Sequence, residues 1–362
     1  MAPYYTMQVY NSVGALQAVV TDFDNLAISK QLNAIDMLQF SIKNQSPSAQ
    51  YMVANAIVEI YRQDVELGIP NALEFAGIIR KRIVTRSVVT TLTLQAMGML
   101  SILAYRTIAY KANKVNLSKF TAVSGETILK RLFDYNVGSA ATVANGRLLD
   151  GRITGMSTAA SAGTGTALTL KCSMQPLLKT MQEVAYSSGL AYTLSYTAPA
   201  SWVFTTYVGQ IGADRTASIR LSVSTGTVST ITQITDLIND FNTVIVGGNG
   251  TEEAKVFATR PATLPTGLNL KETFQDAKNQ QNSTAAYLQQ FGNKTLAVQN
   301  RKRVQYQVDV LQTSQMRYGR DYFFGDKIAV AWDNTNITQF VTAVGIEWRS
   351  TGDEVINVKL GS

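Results

Sequence analysis

The chain has 362 residues, of which 46% are hydrophobic and 16% charged, and a formal net charge of +7. It has no histidine and one cysteine, Cys172, which excludes histidine-dependent hydrolysis, histidine- or cysteine-rich zinc sites and an intrachain disulfide. We expect Cys172 to be a plain buried thiol. The sequence has neither a bilayer-spanning apolar run nor a secretory signal, so we expect no stable membrane insertion.

Residues 2–110 are predicted to be mainly β. The period-two alternation of half-buried strands predicts strands over residues 4–10, 38–42, 57–62, 73–87 and 90–95. Residues 22–26 indicate a turn-rich link. Residues 96–105 change to spacings of three and four, which predicts a helix.

Residues 111–213 are predicted to form a small α+β module. Ser124 is a suitable N-cap for a helix that ends near Asn136. A segment rich in Gly, Ala, Ser and Thr follows over residues 138–165, and its composition predicts an extended loop or loosely packed hairpins. A second helix is predicted with Ser173 as its N-cap and Gly189 at its end. Two strands then cover residues 191–196 and 202–208.

Residues 214–362 return to β, with strands predicted over residues 218–224, 243–246, 304–310 and 327–332 and in two closing segments. Three glycines (Gly247, Gly248 and Gly250) surround Asn249, which predicts a hairpin turn. A phosphate-binding loop is the less favoured alternative, since no helix or Gly-Lys-Ser/Thr motif follows. Residues 268–300 are predicted to be a helical insertion.

Two turns connect the strands near residue 320. The first contains Tyr318, Gly319 and Asp321, and the second contains Gly325 and Asp326. We predict folding and assembly roles for these residues, with Gly325 at positive φ. Nothing in the sequence supplies them with a catalytic partner.

Two basic clusters are candidates for contact with a polyanion or a partner protein: Arg80, Lys81 and Arg82, and Arg301, Lys302 and Arg303. Neither is interleaved with aromatic residues that could stack on bases, which favours a solvated face or a protein interface. The carboxylates show no spacing typical of a metal loop or a glycosidase pair. We therefore expect no enzymatic activity, no metal and no cofactor.

Several segments, in their order, resemble the baseplate-hub proteins of bacteriophage tails. They are LEFAGIIRKRIVTRS (73–87), LTLQAMGMLSILAYR (92–106), GETILKRLFDYNV (125–137), DLINDFNTVIVGGNGTEEAKVFATR (236–260), NLKETFQDAKN (269–279), YGRDYFFGDKIAV (318–330) and GIEWRSTGDEVINVKLG (345–361). Residues 138–167 have no counterpart in the resemblance.

The resemblance implies an α+β, mostly β fold. Two tail-tube-like β-barrel domains (residues 1–110 and 214–362) would flank a middle α+β domain (111–213), with the insertion at 268–300 in the second barrel. It further implies a structural protein of the virion, assembled in the host cytoplasm. A homotrimeric ring would continue the tail tube at the tail tip and line the DNA channel.

The implied partners are tail-tube, distal-tail or baseplate proteins, the tape-measure protein, and phage DNA passing through the lumen. Many hubs carry long C-terminal extensions, whereas this sequence ends after its last predicted strand, so we expect fibre or lytic activities on separate chains. Three alternatives are a carbohydrate- or receptor-binding β-protein with an aromatic platform around Trp202, Phe204 and Tyr207, the hub of a phage-derived contractile injection system, and a histidine-free muralytic enzyme. Trp202 and Phe204 share a strand face, which favours their burial in a core.

Overall fold

The computed structural model describes residues 3–88, 90–109, 118–235, 238, 241–277, 284–299, 304–313, 316–333 and 335–361. The first part of the chain is β, with a short 3-10 helix at Pro47–Tyr51. Its strands are β1 (Tyr4–Tyr10), β2 (Leu16–Val20), β3 (Phe23–Gln31), β4 (Met37–Lys43), β5 (Ile57–Asp64), β6 (Ile69–Thr85) and β7 (Thr91–Gly98).

The middle part mixes helices with short strands. In chain order these are α1 (Ser101–Ala104), β8 (Lys119–Ser124), α2 (Gly125–Asn136), β9 (Met156–Thr158), β10 (Ala167–Lys171), α3 (Leu177–Ser188), β11 (Leu190–Ala198) and β12 (Ser201–Val208). β8 pairs with β10, and β12 pairs with both β11 and β9.

The last part is β with one inserted α/β unit. Its elements are β13 (Arg220–Leu221), β14 (Val228–Thr235), β15 (Thr243–Gly247), β16 (Phe257–Arg260), β17 (Glu272–Asp276), α4 (Ala285–Gln299), β18 (Val304–Val310), β19 (Lys327–Trp332), β20 (Thr335–Arg349) and β21 (Glu354–Gly361). Short 3-10 helices lie at Glu252–Ala254 and Gly267–Asn269. β15, β16 and β17 form a separate sheet that packs on α4.

The largest sheet among the described residues contains strands from both ends of the chain. Its main order is β14-β18-β21-β20-β3-β4-β7-β6-β5-β1-β2, and β19 pairs with β13 and β20. The first and last parts join where β20 pairs antiparallel with β3. One sheet therefore runs through both ends of the chain.

The two ends repeat one topology. The strand order is β3-β4-β7-β6-β5-β1 in the first repeat and β14-β18-β21-β20-β19-β13 in the second. In each repeat one long strand pairs with the next strand in the order along its first half only. β6 pairs with β5 as far as Ile78, and β20 pairs with β19 as far as Phe340. A register shift follows at once in each, at Ile79/Lys81 and at Val341/Ala343. The last pairs differ, since β1 is antiparallel to β5 and β13 is parallel to β19.

One hydrophobic core serves both repeats. Fully buried side chains such as Phe40 and Leu94 of the first repeat belong to the same cluster as Ile346 and Val358 of the second. The middle part has its own core, in which the rings of Phe133 and Phe204 stack with centroids 4.7 Å apart. The inserted unit buries Val244, Val246 and Leu288 between its sheet and α4.

The α+β, mostly β fold predicted from the sequence is confirmed. Strands lie where alternation predicts them over residues 4–10, 38–42, 57–62, 304–310 and 327–332, and residues 73–87 pair with the segment after them. Barrel closure and the boundaries at residues 110 and 214 remain predictions.

The predicted turn-rich link at residues 22–26 is wrong. Phe23 already begins β3, because Phe23, Leu26 and Ile28 extend into the core. The predicted helix over residues 96–105 is also displaced. β7 continues to Gly98 because Ala96 and Met97 still pair with β4, and only one helical turn follows at Ser101–Ala104.

The strand predicted over residues 218–224 is reduced to Arg220–Leu221. Hydroxyl groups replace the sheet partner beyond it: Thr227 Oγ1 accepts from the Ser222 amide at 2.8 Å, and Ser222 Oγ accepts from the Ser224 amide at 3.1 Å. Local side-chain bonds of this kind compete with strand pairing.

Two helix predictions are also corrected. The segment 268–300 is not helical throughout, since Glu272–Asp276 pairs in parallel with β15. Ser173 is not an N-cap, since α3 begins at Leu177 after Pro176. The Met174 amide bonds to the Ile108 carbonyl at 2.7 Å, which holds the preceding chain away from the helix.

Candidate assembly site

The large sheet has one buried and one exposed face. Residues directly paired on antiparallel strands share a face. One exposed row therefore consists of Lys81, Gln95, Gln39, Ala27, Glu347 and Val355. The next consists of Met97, Met37, Ser29, Gly345 and Asn357. A third consists of Gln31, Ala343, Lys359, Gln307 and Thr232.

This exposed face is concave. A depression of about 490 Å³ lies over β3, β4, β7, β20 and β21, and its outward-facing lining includes Ala27, Ser29, Gln39, Gln95, Gly345 and Asn357. Gln95 Nε2 donates to Gln39 Oε1 at 3.0 Å across the strands. The surface is built mainly of small and uncharged polar groups. It also carries the apolar side chains of Met37, Met97 and Val355 and scattered charges of both signs such as Glu347 and Lys359.

Besides β2 and β13, which have one partner each, two stretches of the sheet lack a strand partner on one side among the described residues. β14 pairs only with β18. β6 pairs with β5 only as far as Ile78, so its segment from Lys81 to Thr85 has β7 alone as a neighbour. Both stretches are exposed, including Ile83 at 38% and Ile234 at 41%. These are open sheet edges.

The first predicted turn lies against the junction of the two repeats. Tyr318 is buried, and its hydroxyl donates to Glu74 Oε1 at 2.8 Å. Gly319 has φ 86°, and a Cβ there would lie 2.6 Å from Arg62 Nη1. Asp321 Oδ2 accepts from the Arg317 amide at 2.7 Å and pairs with Arg320. The folding role predicted for these residues fits this geometry.

A buried ionic network extends from this turn. Lys30 Nζ lies 2.6 Å from Glu74 Oε1, and Arg62 Nη1 donates to the Tyr318 carbonyl at 3.2 Å. Arg62 also binds Glu354 through Nε at 2.7 Å and Nη2 at 2.6 Å. Tyr5 donates to the same carboxylate. The network links β1, β3, β5 and β6 to β21.

The network controls the ionisation of its members. Burial alone would raise the pKa of Glu74, but Lys30 and the hydrogen bonds from Lys30 and Tyr318 hold that pKa below its ordinary value. Burial, reinforced by Glu74, raises the pKa of Tyr318 well above its ordinary value. Glu74 is therefore the anion of this pair, and Tyr318 is its neutral donor.

The second predicted turn joins the middle part to the last repeat. Gly325 has φ 87°, as predicted, and a Cβ there would lie 3.0 Å from the Gly212 amide nitrogen. Asp326 is buried and accepts from the Ala213 amide at 2.7 Å, the Phe323 amide at 2.9 Å and Arg215 Nε at 2.6 Å. Asp326 thus anchors the chain where it leaves the middle part.

The glycine-rich segment forms the predicted hairpin, in a longer version. Gly247 ends β15 opposite Phe257, and the Gly248 amide donates to the Val256 carbonyl at 2.7 Å. Gly250 has φ 110°, and a Cβ there would lie 2.3 Å from the Ala254 carbonyl oxygen. A 3-10 turn follows rather than an α-helix, so no phosphate loop forms.

One of the two basic clusters lies at an open edge. Arg80, Lys81 and Arg82 are exposed on β6, and Arg80 bonds to Asn55 Oδ1 at 2.5 Å and lies over the ring of Tyr105. The second cluster, Arg301, Lys302 and Arg303, lies outside the described residues. The depression over β3, β4, β7, β20 and β21 is not lined by any residue of the first cluster.

In the middle part, Glu126 holds the small-residue loop. Its carboxylate is buried and accepts from the amides of Ala162 at 3.1 Å and Thr164 at 2.8 Å, from the Thr164 hydroxyl at 2.8 Å and from Lys130 at 2.6 Å. The loop is therefore bound to the first turn of α2, where the helix dipole also favours an anion.

The other middle-part predictions concern burial. Cys172 is buried, and burial raises the pKa of its thiol to about 12. Trp202 and Phe204 are 2% and 0% exposed, so they belong to the core and do not form an aromatic platform. In the described part of the chain, no helix is long and apolar enough to span a membrane.

Sequence reasoning missed the network residues Lys30, Arg62, Glu74 and Glu354. Arg62 follows Val58 and Ile60 on the core-facing side of β5, whereas Glu74 is the extra residue of a β-bulge between Leu73 and Phe75. A charged residue on the buried side of a strand signals a buried ion pair. The sequence could not identify the partner of Arg62, because Glu354 lies 292 residues away.

The comparisons with known proteins agree with this architecture. The profile of the Siphovirus ReqiPepy6 Gp37-like protein family matches residues 6–362. The chain belongs to this family. The resemblance to phage tail proteins found in the sequence is thereby confirmed. No curated protein matches the chain in sequence.

Solved tail proteins share the fold. The 43 kDa tail protein of prophage MuSo2 from Shewanella oneidensis is 9% identical with a TM-score of 0.60, covering 99% of this chain and 98% of that one. A tail protein of Neisseria meningitidis MC58 is 14% identical with a TM-score of 0.58, covering 99% and 97%. A chain of the Francisella PdpA-VgrG complex is 10% identical with a TM-score of 0.57, covering 99% of this chain and 57% of that one.

Proposed function

We propose that the protein is a structural baseplate or tail hub of a phage virion. Three copies form a ring that continues the tail tube at the tail tip and lines the channel for DNA. The observation that carries this proposal is the concave, small and polar face of the large sheet, backed by a core common to both repeats.

Strand geometry supports a channel of suitable width. Neighbouring strands lie about 4.8 Å apart and tilt by about 40° in a closed barrel. The run from β14 to β6 contains eight strands. Three such runs would close into a ring roughly 48 Å across between backbones. B-DNA, with grooves about 8 Å deep, is roughly 20 Å across and passes with room for side chains.

The side chains on this face suit a wall past which DNA moves rather than a site that binds DNA tightly. Tight polyanion binding needs a cluster of Lys and Arg, since each neutralised phosphate adds to affinity. The three rows on this face contain only two such residues, Lys81 and Lys359, among mostly small or uncharged side chains. DNA and the tape-measure protein therefore slide past this wall without a fixed binding site.

The remaining roles are assigned to other chains. The described residues hold no cluster of three or more acidic or cysteine side chains for a metal. The buried carboxylates of Glu74, Glu126 and Asp326 accept from structural donors, whereas Glu59 and Asp64 each keep one oxygen without a donor. We assign no enzymatic role to this chain. Lytic and fibre proteins, tail-tube and distal-tail proteins are its partners, and assembly takes place in the host cytoplasm.

Native mass measurement and negative-stain imaging of the full chain test the proposal. We expect a species of three copies with a central opening, at high protein concentration or together with tail-tube and distal-tail proteins. A stable monomer without rings under both conditions would contradict the hub role.

Zymography on cell-wall material separates the hub from an enzyme. The full chain should produce no clearing at protein levels where a muralytic control is active. Clearing by the pure chain would overturn the structural assignment.

A further inference from the structure

The junction between β20 and β3 inside one chain is a template for a junction between chains. In the repeat, β20 corresponds to β6 and β3 corresponds to β14. The second half of β20 pairs antiparallel with β3. The corresponding segments, the second half of β6 and the whole of β14, have open edges in the described structure.

We propose that the second half of β6 in one copy pairs antiparallel with β14 of the next copy, so that the large sheet continues around a ring. This inference rests on the proposed hub function and names the interface that builds it. The contact is head-to-tail, because each copy offers two different edges, and such contacts generate rings when the rotation closes.

The repeat also fixes the register. Lys81 pairs with Gln95 in the first repeat, and Ala343 pairs with Lys359 in the second, so Lys81 corresponds to Ala343. Continuing outward, Gln95 pairs with Gln39, whereas Lys359 pairs with Gln307.

Gln39 in turn pairs with Ala27, and Gln307 pairs with Thr232, so Ala27 corresponds to Thr232. Within one chain Ala27 pairs with Glu347. Glu347 follows Ala343 by four residues, and Thr85 follows Lys81 by the same four, so Thr85 is the counterpart of Glu347 in β6. The register between copies therefore places Thr85 opposite Thr232.

In this register the next pair on the same face of the sheet is Ile83 with Ile234, which corresponds to Gly345 with Ser29 within one chain. Both isoleucines are partly exposed in the single chain, at 38% and 41%. Pairing would bring these two apolar side chains, which now face solvent, into contact with each other on the exposed face of the sheet.

The β6 edge is protected against pairing with a copy of itself, whereas the β14 edge is unprotected. β14 reads VSTITQIT and carries neither a charge nor a proline, the usual devices that protect an edge strand. The β6 edge begins with Lys81 and Arg82. Two β6 edges would bring these like charges together, which disfavours self-pairing.

Disulfide trapping in the full chain tests the register. Thr85→Cys with Thr232→Cys puts two thiols opposite each other, where Cα atoms about 4.5–5.5 Å apart allow a disulfide. Both threonines are exposed, so the fold should tolerate the change. The native Cys172 is buried and stays in all variants. Oxidation should give covalent dimers and trimers on a non-reducing gel.

The matched control is Thr85→Cys with Ile234→Cys. Both thiols keep the same face, but they are two residues out of register and about 7–8 Å apart. We expect at least tenfold less cross-linked product. Ile83→Cys with Ile234→Cys repeats the in-register test independently if the first variant fails to fold.

The outcomes separate this junction from the hub function. Cross-linking of the in-register pairs alone supports the junction. Rings seen by mass and imaging, with no cross-linking or with equal cross-linking in the control, overturn the junction and leave the hub function standing. Monomers without rings, with or without tail partners, contradict both.

Discussion

Arg62 connects segments that lie far apart in the sequence. Its guanidinium binds Glu354 of the last strand through two nitrogens and donates to the carbonyl of Tyr318. A planar guanidinium suits such a bidentate contact, because both N–H groups point at one carboxylate. The cost of burying this arginine of the first repeat is offset by partners from the last part of the chain.

Removing the Tyr318 hydroxyl should weaken the network. Tyr318→Phe keeps the ring but deprives buried Glu74 of one donor. We expect a loss of about 1–3 kcal/mol in the free energy of unfolding, as for other buried groups left without a partner. Urea denaturation measures it. Tyr4→Phe, at a tyrosine that is 54% exposed, is the control and should change stability little.

Gly325→Val should destabilise the last repeat. The valine would need φ 87° and would place its Cβ 3.0 Å from the Gly212 nitrogen and the Ile211 Cβ. A positive φ of this kind is strongly disfavoured for a β-branched residue. We expect the melting temperature to fall by at least about 5 °C. Gly345→Ala, whose Cβ meets only Asn357 at 3.9 Å, should leave it nearly unchanged. Equal melting temperatures for both variants would contradict this account.

At the scale of elements, helix α2 organises the middle part. Its first turn presents Glu126 to the loop that approaches from residues 160–166, and the carboxylate accepts from the backbone amides of Ala162 and Thr164. Within this loop the backbone passes close to a neighbour at Gly165, where a Cβ would lie 2.8 Å from Leu190 Cδ1.

Glu126→Gln should reduce the acid sensitivity of folding. Burial alone would raise the pKa of Glu126, but hydrogen bonds from Lys130, Thr164 and Ala162 lower it from 4.5 to about 2. The carboxylate therefore stabilises the fold fully above about pH 4.5, and this contribution is lost as the pH falls towards 2. Unfolding free energies measured between pH 5 and 2.5 should fall less steeply in the variant.

Proteolysis supplies a second readout of the same contact. The loop around residues 160–166 should become more susceptible to a broad-specificity protease in Glu126→Gln at pH 7. Glu347→Gln, on the exposed face of β20, should alter neither the acid profile nor the cleavage. An unchanged loop in Glu126→Gln would show that other contacts hold it.

At the scale of the whole molecule, the repeats share one sheet and one core, and they should unfold together. Phe40→Ala removes a fully buried ring from the first repeat and should cost about 3–5 kcal/mol. Hydrogen exchange should then show an equal loss of protection in β20 and β21 of the second repeat. Phe133→Ala, in the separate core of the middle part, should affect α2 and α3 first. Loss confined to the first repeat after Phe40→Ala would show two independent units.

Local pattern was sufficient for much of the fold. Leu38, Phe40 and Ile42 alternate into the core because a strand has a period of two. Ser124 caps α2 by accepting from the Thr127 amide at 3.4 Å, and Gly189 ends α3 at φ 68°. The positive φ of Gly325 and the burial of Trp202 were predictable for the same reason, because each depends on residues close by in the chain.

The errors arose where a distant partner outweighs local preference. Glu272–Asp276 is a strand because β15 is beside it, and residues 222–227 turn because their hydroxyls replace a sheet partner. The sequence alone determined the mostly β class, the two β-rich ends and the turn glycines. Only the tertiary structure decided that both ends share one sheet, that Arg62 meets Glu354, and that β6 and β14 are left open. Long-range pairing is a property of two segments together, and neither segment carries it alone.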